Sequence, residues 1–123
     1  MYNVTNGQWT TAHLSQARDW ISAATAGNLA FFAGGEYNGI DGVSNVVDVF
    51  DASTGLWTTT TLGQARDAMS ATSVDGKAIF AGGYLGNNAW SSTVDVFTPE
   101  PATLSLLALG GLAILRRRRR NRK

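Results

Sequence analysis

Few residues in this sequence have side chains suited to chemistry at neutral pH. His13 is the one histidine and there is no cysteine, which excludes cysteine nucleophiles, thiolate metal sites and any site that needs several imidazoles from one chain. An internal repeat, described below, places Thr61 at the position equivalent to His13. A nucleophile, a base and an orienting group do not converge on His13 in sequence. We therefore predict that it is an exposed strand residue, and we predict no catalytic residue, no metal and no cofactor.

Charged pairs recur along the chain, since Arg18 precedes Asp19 and Arg66 precedes Asp67. Such a pair can bind a polar ligand, but its recurrence in each repeat favours a structural hydrogen bond between neighbouring units. Two further aspartates recur on equivalent strands and receive the same interpretation, Asp48 and Asp95.

Loops in which the repeats differ are better candidates for binding, because loops on a rigid scaffold carry binding more often than the scaffold does. These loops read DGVSN and GNNAW. Trp90 offers an aromatic platform for a sugar or a protein, and the alternative is that it packs between units. The predicted contact residues are Ile40, Asp41, Asn87, Asn88 and Trp90.

An internal repeat positions these candidates. Residues 7–35 and 55–83 align at an offset of 48, with 16 identities in 29 positions. Beyond the glycine pairs the offset drops to 47, which matches Tyr37 with Tyr84 and the VDVF of residues 47–50 with that of residues 94–97. Four-stranded units that repeat at this period are typical of β-propellers.

Each repeat has the pattern of short antiparallel strands. VDVF alternates with a period of two, whereas LAFFA and KAIFA are apolar throughout, as expected of strands covered on both faces. Gly27-Asn28 and Asp75-Gly76 occupy equivalent places, and both pairs tolerate the positive φ angles of a two-residue hairpin turn. The body is predicted to be all-β, and the strands of its complete unit are expected at about 20–26, 29–34, 45–51 and 56–62.

The repeats resemble the kelch family. The resemblance rests on a diglycine that closes the second strand, a tyrosine beyond it, a tryptophan six residues after a turn aspartate, and an arginine that opens the next unit. It implies a partial kelch-type β-propeller of about two four-stranded antiparallel blades, with the two tryptophans contributing apolar area between blades. The matching residues are Gly34, Gly35, Tyr37, Trp57, Gly82, Gly83, Tyr84, Trp9, Arg18 and Arg66.

The resemblance divides residues 1–97 into a partial blade at 1–12, a full blade at 18–62 and an incomplete blade at 66–97. A little over two blades cannot close a ring, since propellers have four or more. Two explanations are open: the chain is the C-terminal fragment of a longer propeller, or it is a short chain that assembles with others. We expect the first, because the N-terminus lacks the pattern of a signal peptide.

Residues 98–123 differ from the body. The body up to Glu100 has three basic and nine acidic residues, whereas the seven remaining cations lie between Arg116 and Lys123. The apolar run 102–115 is short for a bilayer span, but flanking arginines can extend it by reaching the head groups. We expect one short transmembrane helix with its cations in the cytoplasm. A nucleic-acid tail is the rejected alternative, because the body is acidic and no aromatic residue lies among the cations.

The order of these features resembles the PEP-CTERM sorting signal of Gram-negative bacteria: a Pro-Glu-Pro motif at 99–101, an apolar helix at 102–115 and an arginine-rich end at 116–123. The resemblance implies an exosortase, a membrane-embedded cysteine protease or transpeptidase, that recognises and removes the tail. The implied route is export, transient residence in the inner membrane, and delivery to the cell surface or the extracellular space. The predicted sorting residues are Pro99, Glu100, Pro101, Arg116, Arg117, Arg118, Arg119 and Arg120.

Two functional hypotheses follow. The first is a non-enzymatic surface protein that binds a protein or a polysaccharide in the envelope or extracellular matrix. The second is the C-terminal part of a secreted propeller enzyme that acts on glycans.

Overall fold

A computed structural model of the chain describes the backbone of residues 2–3 and the full structure of residues 7–39 and 42–99. This part is built from antiparallel strands and contains no helix, which confirms the all-β prediction. The strands are β1 (Tyr2–Asn3), β2 (Gln8–Trp9), β3 (Ser22–Ala26), β4 (Leu29–Ala33), β5 (Val46–Asp51), β6 (Leu56–Thr61), β7 (Ser70–Val74), β8 (Lys77–Ala81), β9 (Tyr84–Gly86), β10 (Ala89–Trp90) and β11 (Val94–Phe97).

The first sheet has four strands in the order β3-β4-β5-β6. Its register pairs Phe31 with Val49 and Ala33 with Val47, so apolar side chains of neighbouring strands lie side by side on one face. The four strands begin and end within two residues of the predicted bounds. The outer strand, β6, is exposed along its whole length, as its run of threonines suggests.

The second sheet has the order β11-β8-β7 and repeats the register of the first three strands of the first sheet. Two small hairpins complete the described part, β1 with β2 and β9 with β10. The β9–β10 hairpin lies in the segment GNNAW, which the sequence pattern assigned to a loop. The predicted loop between the second and third strands of this sheet therefore contains a short hairpin of its own.

The two-residue turns before β4 and β8 differ in type. Asp75 and Gly76 both have positive φ, of 50° and 70°, whereas in the other turn Gly27 has φ of 58° and Asn28 is not in the positive region. The first combination fits a type I′ turn and the second a type II′ turn, in which only the first central residue needs positive φ. The hairpins are as predicted, but the two repeats do not make the same turn.

The core lies between the two sheets. Phe31, Val47 and Val49 of the first sheet are 4%, 0% and 8% exposed, and Phe80 of the second is fully buried. Phe97 bridges them, with ring centroids 5.2 Å from Phe31 and 6.1 Å from Phe80. These apolar side chains hold the sheets face to face, because each buried aromatic ring removes a large apolar area from water.

A close backbone approach between the sheets occurs at Gly34. Its φ is 65°, and a Cβ there would lie 2.3 Å from the carbonyl oxygen of Arg66 and 2.7 Å from Cε of Met69. Gly82 is the equivalent residue in the second sheet. It has φ of 70°, yet a Cβ there would meet only the carbonyl oxygen of Ser91, at 3.6 Å, among the described residues.

We predict that Gly34→Ala destabilises the fold by about 1–3 kcal/mol more than Gly82→Ala does. Both variants share the cost of alanine at positive φ, so the difference isolates the clash with the backbone at Arg66. The measurement is urea unfolding of both variants at low protein concentration. Equal losses of stability would show that the sheets do not approach each other at Gly34.

Candidate functional site

Two arginine clusters repeat the same geometry in the two sheets. Arg66 donates through Nη1 to the carbonyl oxygens of Gly82 and Thr93, at 2.6 and 2.9 Å, and through Nε to that of Gln64, at 3.3 Å. Its Nη2 pairs with the carboxylate of Asp95. The side chain is fully buried, and each of its three nitrogens donates to at least one of four acceptors.

Arg18 makes the equivalent contacts in the first sheet. It donates to the carbonyl oxygens of Gly34 and Val46, at 2.6 and 2.7 Å, and pairs with the carboxylate of Asp48. Burial lowers the pKa of Arg18, and the adjacent Asp48 charge opposes that shift. The carboxylate of Asp48 also accepts a hydrogen bond from the backbone N–H of Ser15, at 3.1 Å. Both members of this buried ion pair therefore make further hydrogen bonds within the fold.

The arginines are therefore partnered by the recurring aspartates at 48 and 95, and the adjacent aspartates have another role. Asp19 exchanges two backbone hydrogen bonds with Glu36, and Asp67 exchanges two with Tyr84. The recurrence of Arg18 as Arg66 and of Asp48 as Asp95 was the sequence signal for these ion pairs, but it did not show which aspartate each arginine binds.

The bridge from Asp67 also corrects the alignment of the repeats. Tyr84 is the structural equivalent of Glu36, because each of them follows a diglycine and pairs with the aspartate after the arginine. The match between Tyr37 and Tyr84 is wrong by one residue. The change of offset falls later, before Ser44 and Ser91, whose N–H groups bond to the equivalent Gly35 and Gly83 carbonyls at 2.8 and 2.9 Å.

The two tryptophans predicted to add apolar area differ in their surroundings. Trp57 is partly exposed and stacks on Phe50 and Phe32 of its own sheet, with ring centroids 5.0 and 5.9 Å away. Trp9 is 75% exposed, so it buries little area in this chain. Together with Phe32 and Phe50, the two rings line a shallow apolar cleft on the outer face of the first sheet.

An aromatic platform lies on the β9–β10 hairpin. Trp90 is 73% exposed, and its ring centroid is 5.9 Å from that of Tyr84. Asn87 and Asn88 form the turn, with φ of 52° and 57°, and the N–H of Asn88 donates to the Tyr84 hydroxyl at 3.0 Å. These bonds fix a small hairpin that presents the Trp90 ring to solvent. Ile40 and Asp41, the other predicted contact residues, lie outside the described residues.

A second cleft lies at the opposite end of β8, with a volume of about 640 Å³. Its lining includes Asp51, Asp75, Lys77 and, from the segment after β11, Thr98 and Pro99. Hydrogen bonds from the side chain and backbone of Ser53 lower the pKa of Asp51. The first proline of the predicted sorting motif thus borders the body. Residues 100–123, with Glu100, Pro101, Arg116 to Arg120 and the predicted apolar helix, lie outside the described residues.

Within the described ranges, no catalytic arrangement of side chains is seen around His13. His13 is exposed, as predicted, although it lies outside the strands. No group of three or more histidine, cysteine or acidic side chains there is placed to hold a metal ion. Nor does the described portion include a helix with the length and apolarity needed to cross a bilayer.

Comparison with protein families finds one match. A family model described as the PEP-CTERM protein-sorting motif matches residues 97–120, so the motif begins at the last residue of β11. No curated protein matches the chain. The motif implies a bacterial protein that is exported, processed by an exosortase and sorted to the cell surface.

We predict that Arg66→Lys lowers the free energy of unfolding by about 2–4 kcal/mol. An ammonium cannot reproduce the fork of the guanidinium and leaves buried carbonyl groups unpaired. The control is Lys77→Ala, which removes an exposed ion pair with Asp75 and should cost about 1 kcal/mol or less. Chemical denaturation of the two variants checks this, and a loss at Arg66 no larger than that at Lys77 would contradict it.

Proposed function

We propose that this chain is an exported, surface-sorted kelch-repeat protein that acts as a binding module in the envelope or extracellular matrix of a Gram-negative bacterium. The observation that carries the proposal is the sorting motif at residues 97–120. It directly follows an all-β body in which the exposed Trp90 ring lies beside Tyr84 on a tight hairpin.

The two sheets are proposed to be successive blades of a propeller. Several observations support this. Both sheets place the same arginine, the same aspartate and the same diglycine in the same contacts, and the second sheet packs face to face on the first. Propeller blades are four-stranded antiparallel sheets stacked in this way around an axis.

The sorting step is proposed to act on the tail alone. The apolar run at 102–115 would hold the protein in the inner membrane until an exosortase, which recognises the Pro-Glu-Pro motif, removes the tail. Pro99 lies against the body at the cleft that Asp51 and Asp75 line, so the folded body ends very close to the motif. The released body would then carry the binding function.

The binding function is proposed to use Trp90 and Tyr84. An exposed indole fixed by a hairpin can stack on the apolar face of a sugar ring or on an aromatic side chain of a protein, and we favour a polysaccharide. No observation on the described residues favours the alternative of a glycan-processing enzyme.

We predict that Pro99→Ala combined with Pro101→Ala abolishes processing in a host that has an exosortase. The unprocessed chain should stay in the membrane fraction at full mass, as the unchanged chain does in a host without the enzyme. Ser92→Ala, an exposed change upstream of the motif, is the matched control. Normal release of the double-alanine variant would rule out the sorting role.

We predict that Trp90→Ala weakens binding to polysaccharide purified from the same bacterium's envelope by at least about fivefold, since one aromatic stacking contact contributes about 1 kcal/mol or more. The matched control is Trp20→Ala, because Trp20 is also exposed, at 65%, and lies outside the hairpin. Affinity electrophoresis through gels that contain the polysaccharide measures the effect. Equal mobility shifts for both variants would contradict a role for this platform.

A further inference from the structure

The second sheet has an apolar face that is open, although the first sheet buries the same face. Val94 and Val96 are 55% and 51% exposed. Their equivalents in the first sheet, Val47 and Val49, are 0% and 8% exposed because the second sheet covers them. Val96 pairs with Ile79 of the adjacent strand, as Val49 pairs with Phe31 in the first sheet.

The second sheet also has an open edge. Within the described part of the chain, β11 lies at the edge of its sheet, whereas the equivalent strand β5 is paired on its outer side with β6. An edge strand presents unpaired backbone donors and acceptors that can template another strand. The open edge adjoins the open face, so a single partner can cover both.

The chain contains a second segment that is similar in sequence to β6 and the residue after it. Residues 8–14 read QWTTAHL and residues 56–62 read LWTTTTL, which are identical at four of seven positions. Only the first two residues of the earlier segment are in a strand, paired with β1 over two residues. In β6 the whole run of Leu56–Thr61 is paired.

The residues that follow this segment show where it must lie. The N–H of Gly63, just after β6, donates to the Asp95 carboxylate, and the N–H of Ser15 donates in the same way to Asp48. The two linkers are therefore fixed alike on the sheet that follows them. Residues 8–14 consequently project ahead of the first sheet, as β6 projects ahead of the second sheet.

Gly82 adds an independent observation. The space around its equivalent, Gly34, is filled by Leu62, Arg66 and Met69 of the next repeat. Next to Gly82, the described residues leave that space open. Its natural occupants are the residues equivalent to those three, which are Leu14, Arg18 and Ile21.

We propose that the open edge of β11 and the open face of Ile79, Val94 and Val96 are a docking surface for a second copy of this chain, bound head to tail. Residues 8–13 of the second copy pair with β11 as β6 pairs with β5, and the first sheet of the second copy packs on the open face. The interface continues the sheet-to-sheet contact that the chain already contains. In the docked pair, the second copy loses its β1–β2 pairing. Phe97 of the first copy then lies opposite Trp9 of the second copy, where Tyr2 lies in the single chain.

The two surfaces that would meet in this contact are both apolar, which favours a second copy of this chain as the partner. The open face is aliphatic, and the exposed face of the first sheet offers the apolar cleft lined by Trp9, Phe32, Phe50 and Trp57. Because the two surfaces differ, the contact is heterologous, and repeated docking closes a ring or extends as a filament.

Cysteine cross-linking tests the register, since the chain has no cysteine of its own. Val49 pairs with Thr58, so the proposal sets Val96 of one copy opposite Thr10 of the next, at a spacing that a disulfide can bridge. A full-length chain with Val96→Cys is mixed in detergent with one carrying Thr10→Cys and mildly oxidised. A chain with both Val49→Cys and Thr58→Cys is the positive control.

The matched control replaces Thr10→Cys by Thr11→Cys, which points to the opposite face of the strand. We expect at least fivefold more mixed dimer with the cysteine at position 10 than with that at position 11. Equal yields from the two mixtures would overturn the proposal. So would a chain with both Thr10→Cys and Val96→Cys that forms only an internal disulfide.

A second experiment tests the packing. Gly82→Ala should weaken association of the full chain at least tenfold in light scattering, because its methyl group meets the backbone of the docked copy at Arg18. Gly76→Ala has the same φ of 70° in open space and should leave association unchanged. Equal association of the two variants, or an unchanged chain that stays monomeric at every concentration, would overturn the proposal.

Discussion

One residue, Arg66, joins the two sheets through its backbone and its buried side chain. The backbone of Arg66 bonds to Gly35 and Ser44 of the first repeat, while its side chain bonds to Gly82, Thr93 and Asp95 of the second. A buried charge is costly unless it is fully hydrogen-bonded. These bonds hold the segment after β6 against both sheets, beside the apolar core that lies between them.

This constraint separates the molecule into parts with different roles. The arginine clusters have a structural role, because every nitrogen of both guanidinium groups already donates to an acceptor inside the fold. Exposed groups are found instead at the ends and outer faces of the sheets: the Tyr84–Trp90 platform, the open face of the second sheet and the cleft beside Pro99. A rigid body that ends at the sorting motif suits a protein whose tail is removed without disturbing the fold.

Much of this was predictable from sequence, because it repeats. The period-two pattern of VDVF and the turn pairs predicted the four strands of the first sheet within two residues. The sequence could not show which aspartates bind Arg18 and Arg66. Each arginine is followed directly by an aspartate, Asp19 or Asp67, and nothing in the sequence favours a distant aspartate over this adjacent one. The β9–β10 hairpin was missed because its turn is Asn87-Asn88, in which asparagine rather than glycine takes the positive φ.

We infer that the two sheets fold as one cooperative unit held together at Arg66. Native-state hydrogen exchange tests this by comparing the opening free energies of amides in β4 and β8 with that of the Gly35 amide, which donates to the Arg66 carbonyl at 3.0 Å. We expect all three to open together at the global free energy of unfolding. Exchange in β8 at a clearly lower free energy than in β4 would contradict it, because the second sheet would then open on its own.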